Sequence, residues 1–262
     1  GRVAGAVLGV EDRLDPYAWA HAARALPAGD WQIAGDIDAD AARALQLGWG
    51  LGRYRFARYK ASTPPAAQLA AEAFDAETFD LLAACVRVRD LVNTPTEHMG
   101  PDELEAVARE IAAAHGAAIE VVAGDDLIAR NYPAIHAVGR ASHRAPRIIE
   151  LGWGDAAHPH VAICGKGVCF DTGGLDLKTA AGMRNMKKDM GGAAHALALA
   201  GLVMARQLPV RLTLVVPAVE NAVGPDAFRP GEVITTRKGL TVEIDNTDAE
   251  GRLILCDALA YA

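Results

Sequence analysis

Apolar and polar residues follow one another along the second half of the chain in a pattern that predicts alternating strands and helices. Six short apolar runs, typical of buried strands, lie at residues 119–123, 147–151, 160–164, 210–216, 232–236 and 241–244. Residues 191–207 are almost wholly apolar and predict a buried helix, and residues 251–262 predict another. The alternation predicts an α/β domain of three layers, α/β/α, with a central, mostly parallel mixed sheet.

The first part of the chain predicts a smaller α/β domain. An apolar run at residues 3–10 is strand-like, a helix opens at Pro16, and residues 38–59 predict a longer helix. Residues 61–67 contain two consecutive prolines and indicate a linker. The predicted domains are therefore residues 1–67 and residues 68–262.

Two helix starts open the second domain. Asp75 has the position of an N-cap, and Pro101 stands at the first position of the next helix with acidic residues in its first turn. These signals place helices before the first strand of the domain.

Composition and charge narrow the class of protein. Of the 262 residues, 51% are hydrophobic and 23% are charged, which is typical of a globular protein with a sizeable core. A net charge of −7 without a Lys and Arg cluster argues against a nucleic-acid partner. No apolar run reaches the roughly 18 residues of a membrane span, and the N-terminus lacks a signal-peptide layout. We therefore expect a cytoplasmic protein without a membrane partner, whose reduced cysteines are Cys85, Cys164, Cys169 and Cys256.

Three polar segments interrupt the predicted strands and helices, at residues 165–178, 186–194 and 246–253. Each follows a strand or precedes a helix, and ligands of open α/β sheets bind at the strand ends. Four acidic residues of these segments are expected to converge there: Asp171, Asp189, Asp248 and Glu250.

Four carboxylates in one cleft repel one another, and two divalent cations would cancel their charge. Two ions about 3.5–4 Å apart suit hydrolysis, because they activate a water molecule and polarise the scissile carbonyl. Oxygen ligands suit Mg²⁺, Mn²⁺ or Zn²⁺. The sequence has no His-Glu-x-x-His motif, which argues against a mononuclear zinc protease.

Simpler roles for the same residues stay open at this point. Asp171 could lie in a turn, Asp189 could cap the following helix, and Asp248 could form an Asx turn or an N-cap. Lys166 and Lys178 could be solvated. Two other chemistries lack their motifs, because residues 165–167 have neither the spacing nor the hydroxyl of a P-loop and there is no Gly-x-Ser-x-Gly elbow.

Together the three segments resemble the leucyl aminopeptidase (cytosol aminopeptidase) family. Residues 246–253 read Asn-Thr-Asp-Ala-Glu-Gly-Arg-Leu and match the signature octapeptide of the family at every position. The other two segments stand in the family's order and spacing. Residues 89–95 and 99–101 extend the resemblance, which runs from about residue 75 to the end, whereas the N-terminal part resembles the variable domain of the family more weakly.

The resemblance implies two divalent ions, Mn²⁺ or Zn²⁺ with Mg²⁺ as a third choice. The tighter-bound ion would be held by Lys166, Asp171, Asp189 and Glu250. The exchangeable ion would be held by Asp171, Asp248 and Glu250. Lys166 must be neutral to act as a ligand, and a nearby dication and burial would depress its pKa.

The resemblance also implies roles at the substrate. Lys178 would keep its proton, contact the substrate carbonyl oxygen and stabilise the gem-diolate. Arg252 would hold a bicarbonate ion that acts as general base. The substrate pocket would include Met186, Asn246 and Ala249.

The expected protein is thus a cytoplasmic, homo-hexameric, dinuclear metalloprotease that releases N-terminal residues, of leucine type, from peptides. The catalytic domain of the family continues well past the signature, so both domains are expected to be partial, with the second truncated at its C-terminus. Two alternatives are a DNA-binding regulator, which the acidic charge disfavours, and an inactive scaffold, which the complete ligand set disfavours.

Three positions depart from the commoner residues of the family without touching a ligand position. Thr172 and Asp176 stand where Ser is usual, and Cys169 replaces a small polar residue. Cys169 is expected to pack in the core rather than act as a nucleophile, and His195 is expected to face the core rather than the metals.

Overall fold

The computed structural model describes residues 3–60, 65–70 and 75–262. The chain divides into two compact units, Gly1–Arg87 and Val88–Ala262. Residues 61–64 of the predicted linker lie outside the described residues. The predicted boundary at residue 67 stays a prediction.

The first unit packs short helices and two strands around a small core that includes Trp19 and Trp49. Its elements are α1 (Pro16–Ala20), α2 (Ala22–Ala25), β1 (Gly29–Trp31), α3 (Ala39–Arg53) and β2 (Ala67–Leu69), and the two strands pair in parallel. Gly48 is a glycine inside a helix because a Cβ there would lie 2.0 Å from the carbonyl oxygen of Pro16. The strand predicted at residues 3–10 is wrong, since this mostly exposed run has no neighbouring strand among the described residues to complete a ladder.

A helix that begins in the first unit, α4 (Ala76–Asn93), leads into the second. The further helices are α5 (Pro101–His115), α6 (Asp126–Ala129), α7 (Pro133–Gly139), α8 (Ala180–Met183), α9 (Gly191–Ala205) and α10 (Glu250–Tyr261). The strands are β3 (Ala118–Ala123), β4 (Arg147–Trp153), β5 (His160–Cys164), β6 (Gly167–Asp171), β7 (Arg211–Asn221), β8 (Val233–Thr235) and β9 (Thr241–Glu243). Short 3₁₀ turns lie at Thr96–His98, Met186–Met190 and Thr247–Ala249. The helix starts predicted at Asp75 and Pro101 are confirmed.

The central sheet is mixed and has the order β3-β4-β7-β5, with β6 also paired to β7. β4 runs antiparallel to both of its neighbours, whereas β5 and β6 run parallel to β7. Four of these five strands therefore point the same way, as the predicted fold class requires.

Helices cover both faces of this sheet. Leu212 and Leu214 of β7 pack into the core shared with α5 and α9, and Val215 and Val219 pack into the core shared with α7 and α10. Because β7 is buried on both faces, it reads as a continuous apolar run rather than an alternating one. The three-layer prediction is confirmed.

The four cysteines are all free, as expected. No helix in the described part of the chain has both the length and the apolar character that a membrane crossing requires.

Candidate metal centre

Lys166 lies in the short gap between β5 and β6, which both pair with β7. β5 and the first two residues of β6 pair with successive parts of β7 in the same register, and the gap faces Pro217, which has no N–H to donate to the ladder. The carbonyl of Lys166 instead accepts a hydrogen bond of 2.8 Å from the N–H of Ala193. The gap therefore brings Lys166 against the first turn of α9.

Two glycines make room for Lys166. A Cβ at Gly192 would lie 3.0 Å from the backbone nitrogen of Lys166, and a Cβ at Gly251 would lie 2.6 Å from its Cε. The lysine side chain thus runs across the first turn of α10, where any larger residue would obstruct it.

The Lys166 ammonium lies between two carboxylates. Its Nζ is 2.8 Å from Asp189 Oδ2 and 2.8 Å from Glu250 Oε1, as ion pairs without hydrogen-bond geometry. Burial lowers the pKa of Lys166, but the two carboxylates outweigh it, so that the pKa lies above its ordinary value. Burial also raises the pKa of Glu250, against the opposing charge of Lys166. Without metal, Lys166 is therefore a cation.

Asp171 is the last residue of β6 and is buried beside Lys178. Its Oδ1 accepts hydrogen bonds from Gly173 N at 2.9 Å and from Asn221 Nδ2 at 2.8 Å. Its Oδ2 is 2.9 Å from Lys178 Nζ. Burial alone would raise the pKa of Asp171, but Lys178 and the N–H donors hold it below its ordinary value. Asp171 is thus a fixed carboxylate anion.

Lys178 joins the first segment to the third. Its ammonium contacts both Asp171 and Asp248. Burial lowers the pKa of Lys178, yet the two carboxylates raise it to about 12. Asp248 is held in the 3₁₀ turn by its backbone N–H, which donates to Asn246 Oδ1 at 2.7 Å.

A second link between the same segments runs through Thr247, which is fully buried. Its hydroxyl donates to the Gly173 carbonyl at 2.6 Å, and its N–H donates to Asp176 Oδ2 at 2.7 Å. Asp176 therefore holds the third segment in place.

Three carboxylates converge closely enough to share a cation. Ligand oxygens of Asp171, Asp248 and Glu250 all lie within 4.8 Å of one another, and Asp189 reaches the group through Lys166. Oε2 of Glu250 is buried without a hydrogen-bond partner among the described residues, which is costly for a carboxylate. Four carboxylates here face only two ammonium groups. This donor set fits divalent cations that prefer oxygen ligands.

The simpler roles left open by the sequence do not account for this cluster. Asp189 does not cap α9, whose N-cap is Met190 without a side-chain hydrogen bond. Asp171 does form a turn-like bond to Gly173, but its second oxygen faces Lys178. Neither lysine of the site is solvated and unpaired.

Four predicted residues lie around the cluster without a contact that tests their roles. Arg252 is exposed on α10 and has no ion pair with a described residue. Met186 and Ala249 are half-buried, and Asn246 is exposed. Their predicted functions at the substrate stay predictions.

The predictions for Cys169 and His195 had different outcomes. Cys169 is fully buried, and burial raises the pKa of its thiol, so the expected packing role is confirmed. His195 was expected to face the core, and this is wrong: it is exposed, and its Nδ1 lies 2.7 Å from the carbonyl oxygen of Gly191 on its own helix. His195 and Leu199, one helical turn apart, are both exposed and lie on one face of α9.

Asn221 touches Asp171 directly but is absent from the predicted site residues. Its signal was a polar pair, Glu220 and Asn221, at the end of the apolar run that forms β7. The predicted strand ended at Val216 and so left this pair out.

The fold and the site define an α/β protein with an acidic, lysine-paired cluster at the strand ends that could hold metal ions. The model of the cytosol aminopeptidase family, catalytic domain, matches residues 86–262, and that of the M17 aminopeptidase N-terminal domain matches residues 1–72. The chain belongs to the cytosol aminopeptidase family.

Individual relatives agree with this assignment. A probable cytosol aminopeptidase of Corynebacterium efficiens is 41% identical over 232 residues, which are 84% of this chain and 46% of the relative. The crystal structure of the cytosol aminopeptidase from Coxiella burnetii matches with a TM-score of 0.92 at 46% identity, covering 97% of this chain and 56% of that one. The bottromycin maturation enzyme BotP in complex with Mn matches with a TM-score of 0.83 at 34% identity, over 94% of this chain and 56% of that one. The chain spans about half the length of the curated relatives it matches.

Proposed function

We propose that the protein is a metal-dependent aminopeptidase that releases N-terminal residues, of leucine type, from peptides. The observation that carries the proposal is the convergence of three carboxylates within 4.8 Å, one of which has a buried oxygen without a partner among the described residues. Membership of the cytosol aminopeptidase family supports the class of reaction.

The residues that would hold two divalent ions are Lys166, Asp171, Asp189, Asp248 and Glu250. The bound ions, Mn²⁺, Zn²⁺ or Mg²⁺, would supply Lewis-acid activation of water and of the scissile carbonyl. Asp171 is prepared for this role because N–H donors fix one of its oxygens and leave the other directed at the cluster. The Mn-bound state of the relative BotP favours Mn²⁺ as the first ion to test.

Lys178 would stabilise negative charge that develops on the substrate carbonyl oxygen. A pKa of about 12 keeps it protonated at neutral pH, and its contacts with Asp171 and Asp248 place it at the edge of the cluster. Arg252, exposed one residue after Gly251, would bind bicarbonate as the proton acceptor. The substrate pocket would include Met186, Asn246 and Ala249.

We further propose a cytoplasmic homo-hexamer that acts on peptides and not on nucleic acid. Sedimentation of the purified full chain tests the assembly, and a mobility shift with duplex DNA at low salt tests the last point. A hexameric mass without a DNA shift is the expected result.

The decisive experiment compares two substrates with the full chain loaded with Mn²⁺. Leucine p-nitroanilide should be hydrolysed, and its N-acetylated form should not, because an aminopeptidase recognises the free α-amine. Chelation should abolish the activity, and added Mn²⁺ should restore it. Metal-loaded protein that cleaves neither substrate, or both equally, would overturn the proposal.

A further inference from the structure

Asn221 lies at the end of β7, between the first and third segments of the metal centre, and is 1% exposed. Its Nδ2 donates to Asp171 Oδ1 at 2.8 Å and to the Thr247 carbonyl oxygen at 3.1 Å. One amide group therefore touches a carboxylate of the cluster and the residue that precedes Asp248.

The backbone of Asn221 is fixed by the same neighbourhood. Its carbonyl oxygen accepts hydrogen bonds from the N–H of Thr172 at 3.0 Å and from the Thr172 hydroxyl at 2.8 Å. Both partners of the side-chain Nδ2 are acceptors, so the orientation of the amide is determined: Nδ2, with its two hydrogens, must face them. Oδ1 has no hydrogen-bond partner in the part of the chain that the structure describes.

We propose that Asn221 is a positioning residue that sets the geometry of the metal centre without touching metal or substrate. This inference rests on the proposed metal site. By binding Oδ1 of Asp171, Asn221 fixes the carboxylate plane and directs Oδ2 toward the cluster. By binding the Thr247 carbonyl, it fixes the turn that carries Asp248.

The proposal assigns Asn221 a role beyond that of a buried polar residue that only stabilises the fold. The two ligands that it aligns are 77 positions apart in the numbering, at residues 171 and 248, so no local turn sets their spacing. Outer-shell partners of this kind change metal affinity by roughly 10–100-fold when they are removed. A purely structural role would change the stability of the protein and leave metal affinity unaltered.

The test measures Mn²⁺ binding to the full chain by titration calorimetry and by the EPR line shape of the bound ion. Asn221→Leu keeps the approximate volume and removes both donors, and we expect a loss in Mn²⁺ affinity of about 10–100-fold. The matched control is Tyr132→Phe, which removes a buried 2.6 Å hydrogen bond to Glu150 elsewhere in the same unit. The control should lose stability and retain the affinity and the line shape of the wild type.

Each outcome is decisive. Asn221→Leu with wild-type affinity and line shape, and with a stability loss like that of Tyr132→Phe, would overturn the inference and leave the metal site standing. Wild-type protein that binds no Mn²⁺ would overturn the proposed function together with this inference. If Asn221→Leu does not fold, Asn221→Ser replaces it, because the shorter hydroxyl cannot reach both acceptors, and the same loss in affinity is expected.

Discussion

The side chain of Lys166 passes so close to Gly251 that a Cβ on the glycine would lie 2.6 Å from Cε and 2.8 Å from Nζ of the lysine. Gly251 follows Glu250, whose carboxylate meets the same ammonium at 2.8 Å. Because Gly251 has no side chain, Lys166 can reach the carboxylates of Asp189 and Glu250 in the two other segments.

Replacing Gly251 should weaken Mn²⁺ binding while helix α10 stays intact. In Gly251→Ala, the new methyl group is attached to a helix backbone and cannot yield, so Lys166 must move away from Asp189 and Glu250. We expect a loss of at least about 10-fold in Mn²⁺ affinity by titration calorimetry, although alanine favours the helix by about 1 kcal/mol.

The control for this variant is Gly152→Ala. A Cβ at Gly152 meets nothing within 4 Å, and its backbone does not need positive φ. This variant should bind Mn²⁺ like the wild type. Normal binding by Gly251→Ala would show that Lys166 does not need the space that the glycine leaves.

Mn²⁺ binding should release a proton from Lys166 and none from Lys178. The carboxylates beside Lys166 raise its pKa in the metal-free protein despite burial, so the ion must displace a proton before the amine can act as a ligand. Metal and proton therefore compete, and Mn²⁺ affinity should rise as pH rises. Calorimetry in buffers of different ionisation enthalpy counts the protons released.

Two methionine variants separate the lysines in that experiment. Lys166→Met should release about one proton fewer than the wild type, and Lys178→Met should release the same number. An equal number of protons from the wild type and Lys166→Met would contradict the assignment of Lys166 as a ligand.

The sequence predicts well those strands and helices whose apolar residues form one continuous run along the chain. β5 was predicted with its exact bounds, and α9 within two residues at its end. β6 was missed, because residues 165–178 read as one polar loop although Val168 and Cys169 are fully buried. Their burial depends on β7, which lies more than forty residues further along the chain.

In the site, too, some residues could be predicted from the sequence and others could not. The sequence predicted the acidic residues that converge, because each of them lies in a polar segment at the end of a strand or the start of a helix. It did not indicate the partners that fix them: Asn221 beside Asp171, or Asp176 beside Thr247. Such contacts join segments that are distant in sequence, and no periodicity or local motif marks them.

Lys178 should be needed for turnover and not for metal binding. Removing a preorganised donor to developing negative charge costs about 10²–10³ in kcat, and Lys178→Met should show this loss on leucine p-nitroanilide. Its Mn²⁺ affinity should not fall, because the ammonium that competes for Asp171 and Asp248 is gone. The matched control is Lys187→Met, since the Lys187 ammonium donates to the Asn93 carbonyl oxygen rather than to the cluster. Equal losses of kcat in both variants would show that Lys178 does not stabilise the charge that develops on the substrate.

Asp257 should hold α10, which carries Glu250, against α7. It is fully buried, and its Oδ2 accepts hydrogen bonds from the N–H groups of Ala134 at 2.8 Å and Ile135 at 3.3 Å, at the start of α7. Its Oδ1 accepts another from Arg237 N at 2.8 Å. Asp257→Asn turns an NH₂ group toward one of these donors, so we expect the free energy of unfolding to fall by about 2 kcal/mol in urea titrations.

The control for this last variant is Asp155→Asn, in an exposed turn where the carboxylate accepts one bond of 2.8 Å from Ala157 N. Water replaces that bond, so its loss should cost at most about 0.5 kcal/mol. At saturating Mn²⁺, Asp257→Asn should bind the ion as the wild type does, because its defect lies in the packing of two helices. Equal stability losses in the two variants would show that the buried carboxylate does not join α10 to α7.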